Sequence, residues 1–141
     1  LLNTVTNALG HVTTYSNYDG HGRPQRIEDP NKLITTITYT TRGQLDTESA
    51  LGELTDYDYY PTGQLKQTTF PDGSYLTYQY DAAQRLTDIR DHLGNHKKFT
   101  LDELGNITHE NHYDSTGALK RKGEWIFNSK NQLEKPKMQF L

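Results

Sequence analysis

The sequence predicts an all-β protein made of stacked antiparallel hairpins, and three observations carry that prediction. The motif Tyr-Asp-x-x-Gly, or a close copy, starts at positions 18, 39, 59, 80 and 101, so a unit of about 21 residues is repeated in series. A second turn series ends at Gly10, Asn31, Gly52, Gly73 and Gly94 and interleaves with the first. Between the turns lie segments rich in Thr and Tyr whose larger side chains recur with period two.

Composition sets the limits. The chain has 141 residues, enough for one domain. Its hydrophobic share is only 32%, which by itself would suggest disorder, yet 10 Tyr and 4 Phe argue for a folded, β-rich chain. A core built largely of tyrosine is therefore expected. The net charge of −3 gives no pull toward nucleic acid or an anionic membrane. The basic run Lys120-Arg121-Lys122 reads as a solvated strand or turn face. The absence of cysteine removes disulfides and thiolate metal sites and leaves the redox compartment open. No apolar run approaches the ~20 residues of a helical membrane span. The chain begins at Leu1 in mid-pattern, which suggests an excised fragment or a processed product.

The turn segments follow the rule for type I turns: Asp, Asn or Ser first, Pro second, Gly fourth. Asn7-Ala8-Leu9-Gly10, Asp29-Pro30-Asn31, Ser49-Ala50-Leu51-Gly52, Phe70-Pro71-Asp72-Gly73 and Asp91-His92-Leu93-Gly94 form one series. Asp19 to Gly22, Tyr60-Pro61-Thr62-Gly63, Asp102 to Gly105, Asp114 to Gly117 and Asn128 to Asn131 read as the other. In this reading Asp bonds the turn backbone and Gly supplies a positive φ, closing a hairpin. On the strands, Thr35, Ile37 and Tyr39 share a face, as do Thr55, Tyr57 and Tyr59, and Leu76, Tyr78 and Tyr80. Phe99 with Leu101 and Trp125 with Phe127 continue the pattern. Leu45, Leu65, Leu86, Ile107, Leu119 and Leu133 each follow a turn. Stacked units would give about 12 strands spaced ~4.8 Å apart, wound by sheet twist into a long curled sheet.

Three stretches are expected: a regular array at 1–105, shortened and irregular terminal repeats at 106–133, and a tail or continuation strand at 134–141. The last two follow from the shorter step between Leu101 and Tyr113, and from Glu134-Lys135-Pro136-Lys137, which reads as an interruption of strand character.

These residues resemble the YD-repeat or RHS-repeat family, whose unit is a Gly, a spacer, then Tyr-x-Tyr-Asp-x-x-Gly-Arg-Leu. The copy from Gly73 through Tyr78, Tyr80 and Asp81 to Arg85-Leu86 matches best, with Gln84 in place of Gly. Tyr18-Asp19 to Gly22-Arg23 and Tyr113-Asp114 to Gly117 also match, while Tyr39 to Gly43 and Tyr59 to Gly63 keep the Gly without the Asp. The resemblance covers about residues 1 to 133. It implies a β-sheet shell that encloses a C-terminal toxin in bacterial members or serves contact and adhesion in cell-surface ones. It also implies a secreted or cell-surface location, with the remaining repeats and a toxin cargo of the parent chain as partners. The Asp-Pro-rich self-cleavage segment of the family has no counterpart, since Asp29-Pro30 lies in a repeat turn.

Other constellations favour structure over chemistry. His92 and His96 flank a turn, and His109 and His112 fall on opposite faces of a strand, so surface or turn histidines are expected and no metal site. The spaced Asp residues are accounted for by the turns. Asn106-Ile107-Thr108 is a glycosylation sequon overlapping a turn copy. Tyr15, Tyr60 and Tyr75 lie off the core register and are the tyrosines expected to make exposed contacts. The leading expectation is a non-catalytic structural module of an RHS shell, without catalytic residues or cofactor. A carbohydrate- or cell-surface-binding adhesion module is the alternative, a hydrolytic enzyme a third. Open edge strands would permit a homodimer.

Overall fold

The computed structural model describes residues 1–141. Thirteen strands follow one another without a helix: β1 (Thr4–Thr6), β2 (Val12–Tyr18), β3 (Pro24–Glu28), β4 (Ile34–Tyr39), β5 (Leu45–Ala50), β6 (Glu53–Tyr59), β7 (Leu65–Thr69), β8 (Tyr75–Tyr80), β9 (Leu86–Asp91), β10 (His96–Leu101), β11 (Ile107–Tyr113), β12 (Leu119–Phe127) and β13 (Leu133–Phe140). They form one sheet whose strand order is the chain order. This is the predicted class of antiparallel hairpin repeats. By packing, the chain divides into a first unit, Leu1–Asp58 with Thr69–Gly73, and a second, Tyr59–Thr68 with Ser74–Leu141.

In the first unit β4 shows the alternation that the sequence predicts. Thr35, Ile37 and Tyr39 are half-buried, and Ile34, Thr36 and Thr38 are exposed. The register slips between Thr38 and Tyr39, so that Tyr39 lands opposite Leu45 across the turn. Bulges of this kind re-aim one side chain without ending the ladder. The second unit repeats the device: Tyr80 faces Leu86, Leu101 faces Ile107, Tyr113 faces Leu119 and Phe127 faces Leu133, each beside a register shift. The aliphatic residue after each of these turns is therefore the partner of the aromatic or leucine before it.

Several expectations need correction. No apolar side chain is fully buried, and the buried polar residues are Thr68 and Asp88. The expected tyrosine core is a half-buried stripe, because a single sheet layer has nothing of its own to cover it. Positive φ in the turn opened by Asp29 falls on Lys32 (φ 70°), one residue beyond Asn31. The segment Ser49 to Gly52 is not a four-residue loop. Ala50 pairs directly with Glu53, leaving the two-residue turn Leu51-Gly52 with φ of 54° and 83°. Two successive positive φ values are the signature of a type I′ turn, which suits the twist of a hairpin.

The C-terminal strands also differ from the reading. Residues 134–137 do not interrupt strand character, since β13 runs unbroken with Pro136 opposite Trp125. β13 is the last strand of the sheet, and an edge position tolerates the missing N–H of proline. Strands β11, β12 and β13 have 7, 9 and 8 residues, longer than most of those before them. Tyr113-Asp114 does not continue the row of turns that holds Tyr80-Asp81. In an antiparallel array successive turns alternate between the two ends of the strands. The turn Asp114 to Gly117 joins β11 to β12 and so falls at the end that carries Asp91 to Gly94. The short step from Leu101 to Tyr113 is a half-unit that changes rows.

Candidate functional site

The turns repeat one geometry. In the Asp19 turn, the amide of Gly22 donates to the Asp19 carbonyl (3.0 Å), and the Asp19 amide donates to Arg23 (3.0 Å). Asp19 Oδ1 then accepts the amides of His21 and Arg23, both at 2.9 Å. The same acceptance of residues two and four ahead recurs at Asn7, Asp29, Asp81, Asp91, Asp114 and Asn128. Asp or Asn can do this because its short side chain reaches its own loop. Gly22, Gly43, Gly63, Gly105 and Gly117 take the fourth position with φ of 79°, 85°, 100°, 88° and 84°. Gln84 occupies that position at φ 65° without being glycine.

Some turns carry a clasp toward the next copy. Arg23 Nε donates to Asp19 Oδ2 at 2.7 Å, and its guanidinium lies 4.4 Å from the centre of the Tyr39 ring. A Cβ on Gly43 would come within 2.5 Å of Arg23 Nη1, so the absence of a side chain there makes room for the guanidinium. Arg85 Nε donates to Asp81 Oδ2 at 2.8 Å, and Nη1 reaches the Asp102 carbonyl at 2.8 Å. Asn106 bridges Asp102 Oδ2 and Asn131. The tyrosines add rivets: Tyr39 Oη donates to the Pro24 carbonyl at 2.9 Å, and Tyr18 Oη to the Leu2 carbonyl. Tyr59 closes β6 as a half-buried residue.

This bonding fixes the charge state of the turns. The backbone amide of Arg23, followed by its guanidinium, holds the Asp19 carboxyl down at about 2. The Arg85 backbone amide lowers Asp81, the Asn95 side chain lowers Asp91, and the Asn106 side chain lowers Asp102. Thr116 and then Lys120 hold Asp114 far below the carboxylate range. Such acids stay ionised and fully engaged at neutral pH, which makes them poor proton acceptors or donors. Burial raises the Tyr80 phenol.

The remaining sequence candidates separate. Tyr75 is 39% exposed, near the His92 ring at 6.0 Å, whereas Tyr60 is half-buried and packs edge-on against Tyr80 at 6.2 Å. Tyr60 had been expected to be exposed, but it stands where other turns have Asp, and its Oη donates to the Tyr78 carbonyl at 3.1 Å. Tyr15 is half-buried opposite Ile27. His92 and His96 do not converge. His96 meets Asp88 at 3.1 Å, with side chains 11% and 8% exposed, and its ring lies 4.8 Å from that of Tyr113. The sequence reading missed this pair, whose only signal was the register that brings β9 beside β10. His112 pairs with Glu110, and His109 stands 3.9 Å from Glu124. A cleft of about 480 Å³ opens between the turns at Tyr60 and Asp81, lined by Gln64, Gln79, Tyr80 and Gln84.

Residues 59–96 match the family model of the RHS repeat. That segment reads as an RHS repeat. Two curated relatives align with this chain. Double-stranded DNA deaminase toxin A of Burkholderia cenocepacia is 33% identical over 81 residues, which is 57% of this chain and 5% of that protein. Probable deoxyribonuclease RhsA of Dickeya dadantii is 33% identical over 88 residues, 61% of this chain and 6% of that protein. Among solved structures, TcdB2-TccC3 superposes with a TM-score of 0.72 at 18% identity, covering 87% of this chain and 7% of that one. The Photorhabdus luminescens Tc holotoxin pore gives 0.62 at 16% identity, covering 92% and 9%. The chain thus spans only a small part of each relative, and the structural likeness shows a shared fold.

Proposed function

We propose that this RHS-repeat chain is a wall section of a β-shell, and that the shell encloses a toxin or effector domain carried further along the parent protein. The observation that carries the reading is the strand order: every strand pairs with its sequence neighbours, so repeats can be added in series without limit. The curated relatives are far longer proteins named as toxin or nuclease, and the solved relatives belong to Tc toxin assemblies. The turn carboxylates support a mechanical role, since backbone amides and guanidinium groups hold them ionised. In this reading the segment does no catalysis itself. Residues 1–105, 106–133 and 134–141 are regular array, terminal repeats and continuation strand, and further repeats of the parent pair with the edge strands β1 and β13. The parent acts outside the cell that makes it.

The test is limited proteolysis of the full parent protein. An enclosed domain stays intact in the native protein and is cut rapidly when Gly63→Val and Gly105→Val break two turns of this segment. Equal cleavage of that domain in both proteins rules enclosure out. An adhesive role would rest on exposed Tyr75, and glycan binding abolished by Tyr75→Ala would favour it instead.

A further inference from the structure

The position four residues after the turn-opening residue decides how one turn meets the next. Arg23 and Arg85 fill it with guanidinium groups that reach the following turn, and Asn106 does so with an amide. At the Tyr60 turn that position holds Gln64. Its side chain is shorter than arginine, and its buried Oε1 has no hydrogen-bond partner. The space left between the turns is the cleft of about 480 Å³. Tyr80 lines it, and Tyr80 holds the place in this repeat that Tyr39, the ring under the Arg23 guanidinium, holds in its own. Gln79 and Gln84 line it as well. Arg85 is engaged with Asp81 and Asp102 and leaves the cleft open.

We propose that this cleft receives an arginine side chain presented by another polypeptide segment. The occupant is argued from the molecule itself, because a guanidinium already fills the matching place beside Arg23 and beside Arg85. An orphaned acceptor calls for a donor, and guanidinium carries donors only, in a planar fork. Its flat face suits an aromatic ring, whereas an ammonium offers neither plane nor fork. The inference is independent of the enclosure reading: it concerns what fills one slot.

The experiment titrates the intact chain with N-acetyl-arginine methylamide, N-acetyl-lysine methylamide and N-acetylglucosamine, following backbone and glutamine side-chain resonances by NMR. The arginine probe alone should give saturable shifts at Gln64, Gln79 and Gln84. Gln64→Arg supplies its own guanidinium and should weaken the probe by at least about tenfold. Gln64→Ala keeps the cleft and removes the acceptor, so it should also weaken the probe, and it reads the proposal if the arginine variant does not fold. Absence of saturable shifts, an equal response to lysine, a response only to the sugar, or undiminished binding in the folded variants overturns it.

Discussion

The turns at Tyr60–Gly63 and Asp81–Gln84 are neighbouring copies of one loop secured by different groups. Their backbones match: the opening amide donates to the residue four ahead at 2.9 Å in both, and the fourth amide donates back at 2.8 and 2.9 Å. The Asp81 turn relies on side chains, with a carboxylate holding two amides and a guanidinium, and it tolerates Gln84 in the left-handed region. The Tyr60 turn opens on a tyrosine where its neighbour has a carboxylate. It relies on backbone disposition instead, with Pro61 at the position whose φ proline presets and Gly63 at φ 100°. The loop geometry is thus the invariant, and either side-chain bonding or backbone preference can enforce it.

The largest expected effect breaks the second device. Gly63→Val puts a β-branched residue at a strongly positive φ and should cost about 3 kcal/mol in chemical denaturation. Gln84→Val should cost only about 1 kcal/mol, because a side chain already bears the strain there. Equal losses at the two sites would dissolve the contrast.

Next comes the carboxylate device. Asp81→Ala frees two amides and a guanidinium and should lower the thermal midpoint, whereas Tyr60→Ala removes ring packing and one hydrogen bond to the Tyr78 carbonyl and leaves the turn amides as they were. The linkage has a definite sign. The folded carboxyls of Asp19, Asp81, Asp91, Asp102 and Asp114 all lie below their ordinary value of 3.8. Their contribution is therefore present in full above about pH 4. It is lost as the pH falls through each folded value, which for Asp19 is about 2. Asp81→Asn should flatten part of that acid limb in a pH series of melts.

Two smaller effects run in the stabilising direction. Gln84→Gly relieves a left-handed side chain and should raise stability by about 1 kcal/mol. Leu51→Asn creates Asn-Gly in the two-residue turn, the preferred pair for that geometry, and should add about 0.5 kcal/mol. A loss at Gln84→Gly would mean that its side chain does more than fill the turn.

The hairpin array was legible because turn chemistry and strand alternation are local properties, written in residues a few positions apart. What stayed hidden depends on register. Lys32 takes the left-handed place because Asp29 fixes which residue comes fourth, so the loop overrides the preference for Asn31. Ser49 looked like a turn opener, yet the pairing of Ala50 with Glu53 keeps it in the strand. The clasp by Arg23, the burial of His96 against Asp88 and the packing of Tyr60 each join residues of neighbouring strands or successive turns. The row change at Tyr113 was visible as a half-step but has meaning only once strands are seen to alternate ends.

The identity of strand order and chain order has a further consequence, for the history of the molecule in time. No strand waits for a distant segment to complete its ladder. Each hairpin can be laid on the previous one as the chain emerges from the ribosome or from a transport channel, at the cost of closing only a short loop. A sheet assembled this way is finished wherever synthesis has reached, and the last strand added becomes the template for the next.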